Sequence, residues 1–221
     1  MTQNTTTDEW NNTETNWAVD YDAEPIRIRD PVAEVLAVLD PGEPFVVTYR
    51  DVVTVAGHSC PTASGAYRIA QLGLDALYPD ELPVRGDVEV RAAGPQNDAT
   101  YGVMSRLISS VTGAAQEDGF GGLGGGHGDR KNLLSFDAFD PDSADPTFRF
   151  RRSDTDDSVE VTYHVSKVPG GGPAMGNLQK ILDGTASEDE RDAFADAWHG
   201  RVQVVLTDDS LFSVRSVDTE T

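Results

Sequence analysis

Residues 57–77 read GHSCPTASGAYRIAQLGLDAL, and this stretch decides the predicted fold. Its apolar residues recur every three or four positions, which predicts a helix over 61–77 with one buried face. That face comprises Ala66, Ile69, Ala70, Gly73, Leu74 and Leu77. Pro61 suits the first helical position, so Cys60 directly precedes the helix. There, unpaired N–H groups and the helix dipole favour a thiolate over a thiol.

On either side of this helix, helical and strand patterns are mixed. Asp30, followed by Pro31 and Glu34, begins one helix; Asp98 caps another that reaches about residue 111 and ends at Gly113. Further helices are expected near 175–182 and after Ser187. The predicted strands are 45–49, 52–55, 86–93, 132–136, 147–152, 159–165, and a closing hairpin of 202–206 with 211–217. Because βαβ regularity is absent, we expect an α+β fold, mainly an antiparallel sheet with helices packed on it.

The 221 residues are enough for one ordinary domain. Residues 1–22 are polar and are predicted to form a disordered arm, while 23–221 form a single domain that ends in the helix and hairpin extension. Neither a secretion signal nor an apolar run of 18 residues is present in the sequence, so we expect a cytoplasmic protein without a membrane partner.

The chain is strongly acidic, with 26 Asp and 12 Glu against 14 Arg and 3 Lys, and a net charge of -21. Such a surface repels nucleic acid and anionic membranes. The excess of Asp over Glu and of Arg over Lys indicates a halophilic source, since hydrated carboxylates keep a protein soluble in high salt. The lone Cys60 excludes an intramolecular disulfide.

His58 and Cys60 lie two positions apart in a segment expected to be extended, so an imidazole nitrogen and a thiolate can bind one metal ion. Zinc is the first expectation, and another divalent transition metal is the alternative. Zinc usually takes three or four protein ligands, and the remaining candidates are His127, His164 and Asp98. In the competing interpretation Cys60 is a small buried side chain and His58 an ordinary loop residue.

A glycine-rich loop at 119–128 matches G-x-G-x-x-G, but no strand precedes it and no amphipathic helix follows, so it is not a dinucleotide site. It carries His127 and leads to Arg130, Lys131 and Asn132. We expect either a lid that brings His127 to a metal and Lys131 to an anion, or an ordinary surface loop. His164 is predicted on a sheet face, and His199 at the end of a helix.

Four ordered blocks over about residues 30–165 resemble the FmdE family, which takes its name from a component of formylmethanofuran dehydrogenase. The residues that carry the resemblance are Gly57-His58-Ser59-Cys60-Pro61 with Gly65 and Tyr67-Arg68, then Asn97-Asp98-Ala99, Thr112-Gly113 and Arg130-Lys131-Asn132-Leu133. The resemblance implies an α+β core with a groove that holds zinc on His58 and Cys60, lined by Asn97, Asp98 and Lys131.

The sequence departs from the family pattern at several positions. Ala56 stands where the family often has another histidine, Thr62 replaces the second glycine of the motif, and Thr100 and Tyr101 occupy the place of a frequent cysteine. No cysteine follows Cys60, so the C-terminal zinc finger of longer relatives is absent. Our hypothesis is that His127 replaces the missing ligand.

These features predict a zinc-dependent enzyme that acts on a small anionic or one-carbon-related molecule in a groove. Asp98 is the expected general base, Lys131 holds substrate charge, and Asn97, Arg130 and Asn132 line the groove. The alternatives are a non-catalytic metal-binding component of an oxidoreductase complex, and an enzyme with Cys60 as nucleophile and His58 as base. The expected partners are a small molecule and either a second copy or an oxidoreductase.

Overall fold

A computed structural model describes residues 15–217. Its helices are α1 (Pro31–Val35), α2 (Tyr49–Ala56), α3 (Pro61–Leu77), α4 (Ala99–Thr112), α5 (Asn177–Leu182) and α6 (Glu188–Thr207). Its strands are β1 (Ile26–Ile28), β2 (Phe45–Val47), β3 (Val88–Ala92), β4 (Leu134–Ser135), β5 (Thr147–Arg152), β6 (Ser158–Tyr163) and β7 (Phe212–Ser216). Short 3₁₀ turns cover Val165–Lys167, Pro173–Gly176 and Asp209–Leu211.

The main sheet has five strands in the order β4-β3-β5-β6-β7. Three of its ladders are antiparallel, and only β3 with β4 is parallel. β1 and β2 form a separate antiparallel pair. The α+β class with a mainly antiparallel sheet is therefore confirmed.

Helix α3 packs across this sheet and begins and ends where the apolar spacing predicts. Two glycines bring it close to the strands. A Cβ on Gly65 would lie 2.5 Å from the ring of Tyr163, and one on Gly73 would lie 2.6 Å from the ring of Phe150. α4 and α6 pack against other sides of α3, so this helix is the centre of the core.

The prediction of a strand at 52–55 is wrong, because this segment belongs to α2. Thr48 and Asp51 form a reciprocal capping box at its N-terminus, and Gly57 ends it with a φ of 74°. These local hydrogen bonds outweigh the preference of the β-branched residues for strands. α1 is also shorter than expected and ends at Val35, before Ala37 with a φ of 53°.

The predicted hairpin of 202–206 with 211–217 is also wrong. Val202, Val205 and Leu206 continue α6 and are buried with helical spacing. β7 pairs with β6 instead, joining Phe212 with Tyr163. His199 consequently lies inside α6 and not at its end, and His164 lies one residue beyond β6.

The end of the predicted N-terminal arm contacts the rest of the protein. The guanidinium of Arg50 lies over the ring of Trp17 and binds the carboxylate of Asp20 at 2.8 Å. The ring of Tyr21 packs edge-on against Tyr49. Ordered contacts thus begin before residue 23, while the part of the arm at 1–14 lies outside the described residues. None of the helices in residues 15–217 has the length and apolar character to cross a membrane.

Candidate functional site

Cys60 is the N-cap residue of α3 and is half-buried. Its backbone is extended, with φ -156° and ψ 166°, and the Ala63 amide lies 3.4 Å from Sγ as a hydrogen-bond donor. The sulfur thus faces the positive end of a 17-residue helix. A cysteine at the N-terminus of a helix is a residue type that can bind metals or attack electrophiles.

The segment that carries Cys60 is held by side chains from three other elements. Trp198 of α6 donates from Nε1 to the Ser59 carbonyl at 2.8 Å, and the hydroxyl of Tyr49 in α2 lies 2.9 Å from Ser59 Oγ. At the end of β6, the Tyr163 hydroxyl donates to the Pro61 carbonyl at 3.3 Å. The body of the protein therefore determines where the sulfur lies.

Three tyrosines lie near the cysteine motif. Burial raises the pKa of Tyr21, Tyr49 and Tyr163, and the nearby Cys60 charge raises each of them further. Their hydroxyls therefore stay protonated at neutral pH, so these three tyrosines place no negative charge beside the cysteine. Tyr21 also binds Nδ1 of His199, whose pKa is lowered by burial.

His58 is exposed, and its Nδ1 lies 3.0 Å from the carbonyl oxygen of Ala56. A carbonyl oxygen only accepts, so Nδ1 carries the proton and Nε2 presents a lone pair. Metal-binding histidines commonly donate their second nitrogen to a backbone carbonyl in this way. In this hydrogen-bond arrangement the neutral imidazole can present Nε2 to a metal.

The structure does not bring His127 to this pair as a third ligand. Within residues 15–217, no group of three or more His, Cys, Asp or Glu side chains is placed to hold a metal ion. His127 is exposed in a tight turn, where its carbonyl accepts from the Leu123 amide at 2.8 Å. The hypothesis that His127 completes the site is therefore not supported by the geometry.

The glycine-rich loop is anchored elsewhere. Nη2 of Arg130 donates to both carboxylate oxygens of the buried Asp30, at 2.7 and 2.8 Å, and the Arg130 carbonyl accepts from the Ala115 amide. These contacts hold the loop beside Gly113, at the C-terminal end of α4. Arg130 is thus a structural residue here and does not line a groove with Cys60.

Lys131 and Asn132 continue this loop and are both exposed. The side chain of Lys131 passes close to Gly121, and its amide donates to Asp129 at 2.9 Å. Asn132 adopts a φ of 58°, and its amide donates to the Gln116 carbonyl. Both residues keep the loop folded on itself.

Asp98 caps α4 as predicted, accepting from the amides of Thr100 and Tyr101 at 2.8 and 3.0 Å. It also lines a cavity of about 290 Å³. Pro61 and Thr62, the two residues that follow Cys60, also line it, whereas His58 and Cys60 are not among its lining residues in the described chain. The cavity therefore places Asp98 near the start of α3 and does not contain the two predicted metal ligands.

This cavity is acidic. Asp145 joins Asp98 in its wall, and neither lysine nor arginine is found among its lining residues in the described chain. The 14 residues of α4 span about 20 Å and separate Asp98 from the end of the helix where Arg130 lies. Lys131 is not a lining residue of the cavity, and Asn97 is exposed just outside it.

Sequence reasoning missed the residues that position the motif, above all Tyr49, Tyr163 and Trp198. Their sequence separation from Ser59 and Pro61 reaches 139 residues, so no local pattern connects them. No family model matches the chain, and no curated protein matches it either.

Proposed function

We propose that this chain is a metal-binding protein in which His58 and Cys60 hold a zinc-type ion next to a small-molecule cavity. One observation carries the proposal: with His58 Nδ1 hydrogen-bonded to the Ala56 carbonyl, Nε2 can bind a metal, two residues before the cysteine that caps α3. A borderline-soft ion such as zinc takes this pair of donors. The resemblance of the same residues to the FmdE motif supports the same choice.

The donor set fits such an ion in chemistry but supplies only two side chains. In the described part of the chain no third His, Cys, Asp or Glu joins the pair. The remaining coordination positions therefore go to water, to a bound molecule, or to a second copy or another partner protein. A site of this kind binds metal more weakly than a closed four-ligand site, and it leaves room for a substrate.

An open zinc site supplies a polarised carbonyl or an activated water. For the enzyme, Asp98 is the proposed proton acceptor, since one carboxylate oxygen caps α4 and the side chain also borders the cavity. The carboxylates of Asp98 and Asp145 disfavour the anionic substrate expected from the sequence. We therefore propose a neutral or cationic small molecule as the ligand of this cavity.

In the alternative of a non-catalytic metal-binding component, His58 and Cys60 bind the metal as before and Asp98 has no catalytic role. The exposure of His58 favours it, because an imidazole at the surface can pass an ion to a partner protein. The thiol-nucleophile alternative is less supported, since Cys60 Sγ accepts from Ala63 and no described contact joins it to the His58 ring.

Zinc titration of the full chain in high salt, against a competing chelator, tests the proposal. We expect one zinc ion per chain, and a loss of affinity of more than about 10-fold in both Cys60→Ser and His58→Asn. His127→Asn is the matched control, because it removes an equally exposed imidazole that lies outside the pair. Equal affinity in the wild type and in Cys60→Ser would overturn the metal site.

A further inference from the structure

Asp145, His164 and Ser213 form a connected chain of side chains on the sheet, outside the cysteine motif. His164 Nδ1 lies 2.9 Å from Asp145 Oδ2, and its Nε2 lies 2.7 Å from Ser213 Oγ. A carboxylate only accepts, so Nδ1 carries a proton, and in the neutral ring Nε2 is the acceptor for the serine hydroxyl. This is the arrangement of nucleophile, base and orienting acid that activates a serine.

We propose that Ser213, His164 and Asp145 form a hydrolytic site for small carboxylic esters. Ser213 lies in β7 and is exposed, so its hydroxyl is accessible from solvent. His164 and Asp145 are partly buried, with exposed side-chain fractions of 20% and 25%. The nucleophile is thus open to a substrate while the base and the acid are shielded.

Asp145 is held in place by its own backbone contacts. Its carbonyl accepts from Thr147 Oγ1 at 2.9 Å, and its amide donates to Ser143 Oγ at 3.2 Å. The amide of His164 donates to the Leu211 carbonyl at 2.8 Å, which ties the base to the segment just before β7. The three groups therefore keep their geometry without a ligand.

A cavity of about 220 Å³ opens beside the triad, and His164, Ser213, Glu160 and Arg215 are among its lining residues. Its volume suits a small acyl group and leaves the alcohol part of the ester in solvent. Arg215 is already paired with Glu160 and Asp142, so it is not free to bind a substrate carboxylate. An uncharged acyl group is therefore the expected substrate.

The edge of the sheet supplies a donor for the developing oxyanion. Along the antiparallel ladder of β6 and β7, hydrogen-bonded pairs alternate with pairs that are not hydrogen-bonded. The His164 amide donates to the Leu211 carbonyl, so the next hydrogen-bonded pair is Thr162 with Ser213. Val214 then belongs to a pair that is not hydrogen-bonded, and its N–H points away from β6. In the part of the chain that the structure describes, no strand lies beyond β7 to accept it.

The reaction balances without an added oxidant or reductant. Ser213 Oγ bonds to the acyl carbon while its proton passes to His164 Nε2; the ester C–O bond then breaks, and the proton moves to the departing alcohol oxygen. A water next gives its proton to Nε2 and its oxygen attacks the acyl carbon. Collapse frees the acid, and Ser213 recovers the proton. Asp145 stays ionised and stabilises the imidazolium.

A fluorophosphonate probe on the full chain in high salt tests the proposal, with the adduct mapped by mass spectrometry. We expect one adduct at Ser213, none in Ser213→Ala, and labelling slowed by at least about 100-fold in His164→Asn. Ser216→Ala is the matched control on the same strand and should label like the wild type. The absence of an adduct at Ser213 in the wild type would overturn the proposal.

Hydrolysis of p-nitrophenyl acetate gives a second readout. We expect kcat/KM to fall at least about 100-fold in Ser213→Ala. Asp145 is a positioning residue, so in Asp145→Asn kcat should fall by about 10³-fold while KM changes little. Equal hydrolysis by the wild type and Ser213→Ala would assign the turnover to another group and contradict the proposal. Because no step uses metal, a chelator should leave both readouts unchanged.

Discussion

Two segments were expected to meet in one groove, the cysteine motif before α3 and the glycine-rich loop after α4. The motif is fastened at Ser59 and Pro61 by hydrogen bonds from Tyr49, Tyr163 and Trp198. The loop is fastened mainly to itself and, through Arg130, to Asp30. This difference shows that a residue of suitable type, such as His127, can belong to a metal site only where the fold places it near the other ligands.

The largest expected effect is on the loop anchor. Asp30→Ala removes the buried carboxylate that pairs with Arg130 and with Arg85, leaving two cations without it. Removing one partner of a buried ion pair costs about 3–5 kcal/mol in the free energy of unfolding. Urea denaturation in high salt measures this loss.

If the loop and the motif are separate, the zinc affinity of folded Asp30→Ala should match that of the wild type. The control is Asp209→Ala, which breaks the pair of Arg68 with a largely exposed carboxylate. That change should cost no more than about 1 kcal/mol. A cost below that level for Asp30→Ala would show that Asp30 does not anchor the loop.

The second largest effect on stability is expected where α3 packs closely on the sheet, beside the cysteine motif. In Gly65→Ala the new methyl group would meet the ring of Tyr163, which must shift and weaken its bond to the Pro61 carbonyl. Overpacking of this kind costs about 1–3 kcal/mol, read from urea denaturation.

Gly200→Ala is the matched control for that change, since a Cβ at this position of α6 meets nothing within 4 Å. Here alanine should stabilise the helix by about 0.5–1 kcal/mol. If the free energy of unfolding changed equally and in the same direction in Gly65→Ala and Gly200→Ala, close packing at Gly65 would be ruled out.

A smaller effect is expected at Trp198. Trp198→Phe keeps an aromatic ring but removes the donor to the Ser59 carbonyl, which costs about 1 kcal/mol in unfolding free energy. Zinc affinity should fall as well, because the motif loses one of its supports. Trp17→Phe serves as control and should change stability by less than about 0.5 kcal/mol. An unchanged zinc affinity in Trp198→Phe would show that the hydrogen bond from Trp198 to Ser59 does not support the metal site.

Acid should lower the free energy of unfolding through His199, which contacts Tyr21 next to the cysteine motif. Burial lowers the pKa of His199 from 6.5, so the unfolded chain takes up this proton at higher pH than the folded chain. Stability from this group is present above pH 6.5 and falls as the pH drops below it. In His199→Gln the decline of unfolding free energy between pH 7 and 5 should be shallower than in the wild type. Identical slopes would contradict this assignment.

The sequence predicts the fold best where local signals agree with packing. The apolar spacing of α3, the Asp98 and Ser187 caps, and the strand at 147–152 are confirmed. It fails at 52–55 and 202–206, where β-branched residues favour strands but a capping box or helical burial decides for helix. At 52–55 local capping outweighs the strand preference of the residues, and at 202–206 burial against the core does so.

The two candidate sites also differ in how far they can be predicted from the sequence. His58 and Cys60 can be found from the sequence, because their relation is local. Asp145 and His164 are 19 residues apart and meet across the pairing of β5 with β6. Ser213 is 49 residues from His164 and joins them only through the pairing of β6 with β7, which the predicted hairpin excluded. From the sequence, His164 is a histidine on a sheet face and one of several candidate metal ligands, with no link to Ser213. Separation along the chain, and not residue type, hid this constellation.

X-ray absorption at the zinc edge of the zinc-loaded full chain tests the central claim most directly, since it identifies the atoms bound to the metal. The account predicts one sulfur at about 2.3 Å together with imidazole nitrogen at about 2.0–2.1 Å, and loss of the sulfur in Cys60→Ser. A shell of oxygen and nitrogen alone in the wild type would contradict it.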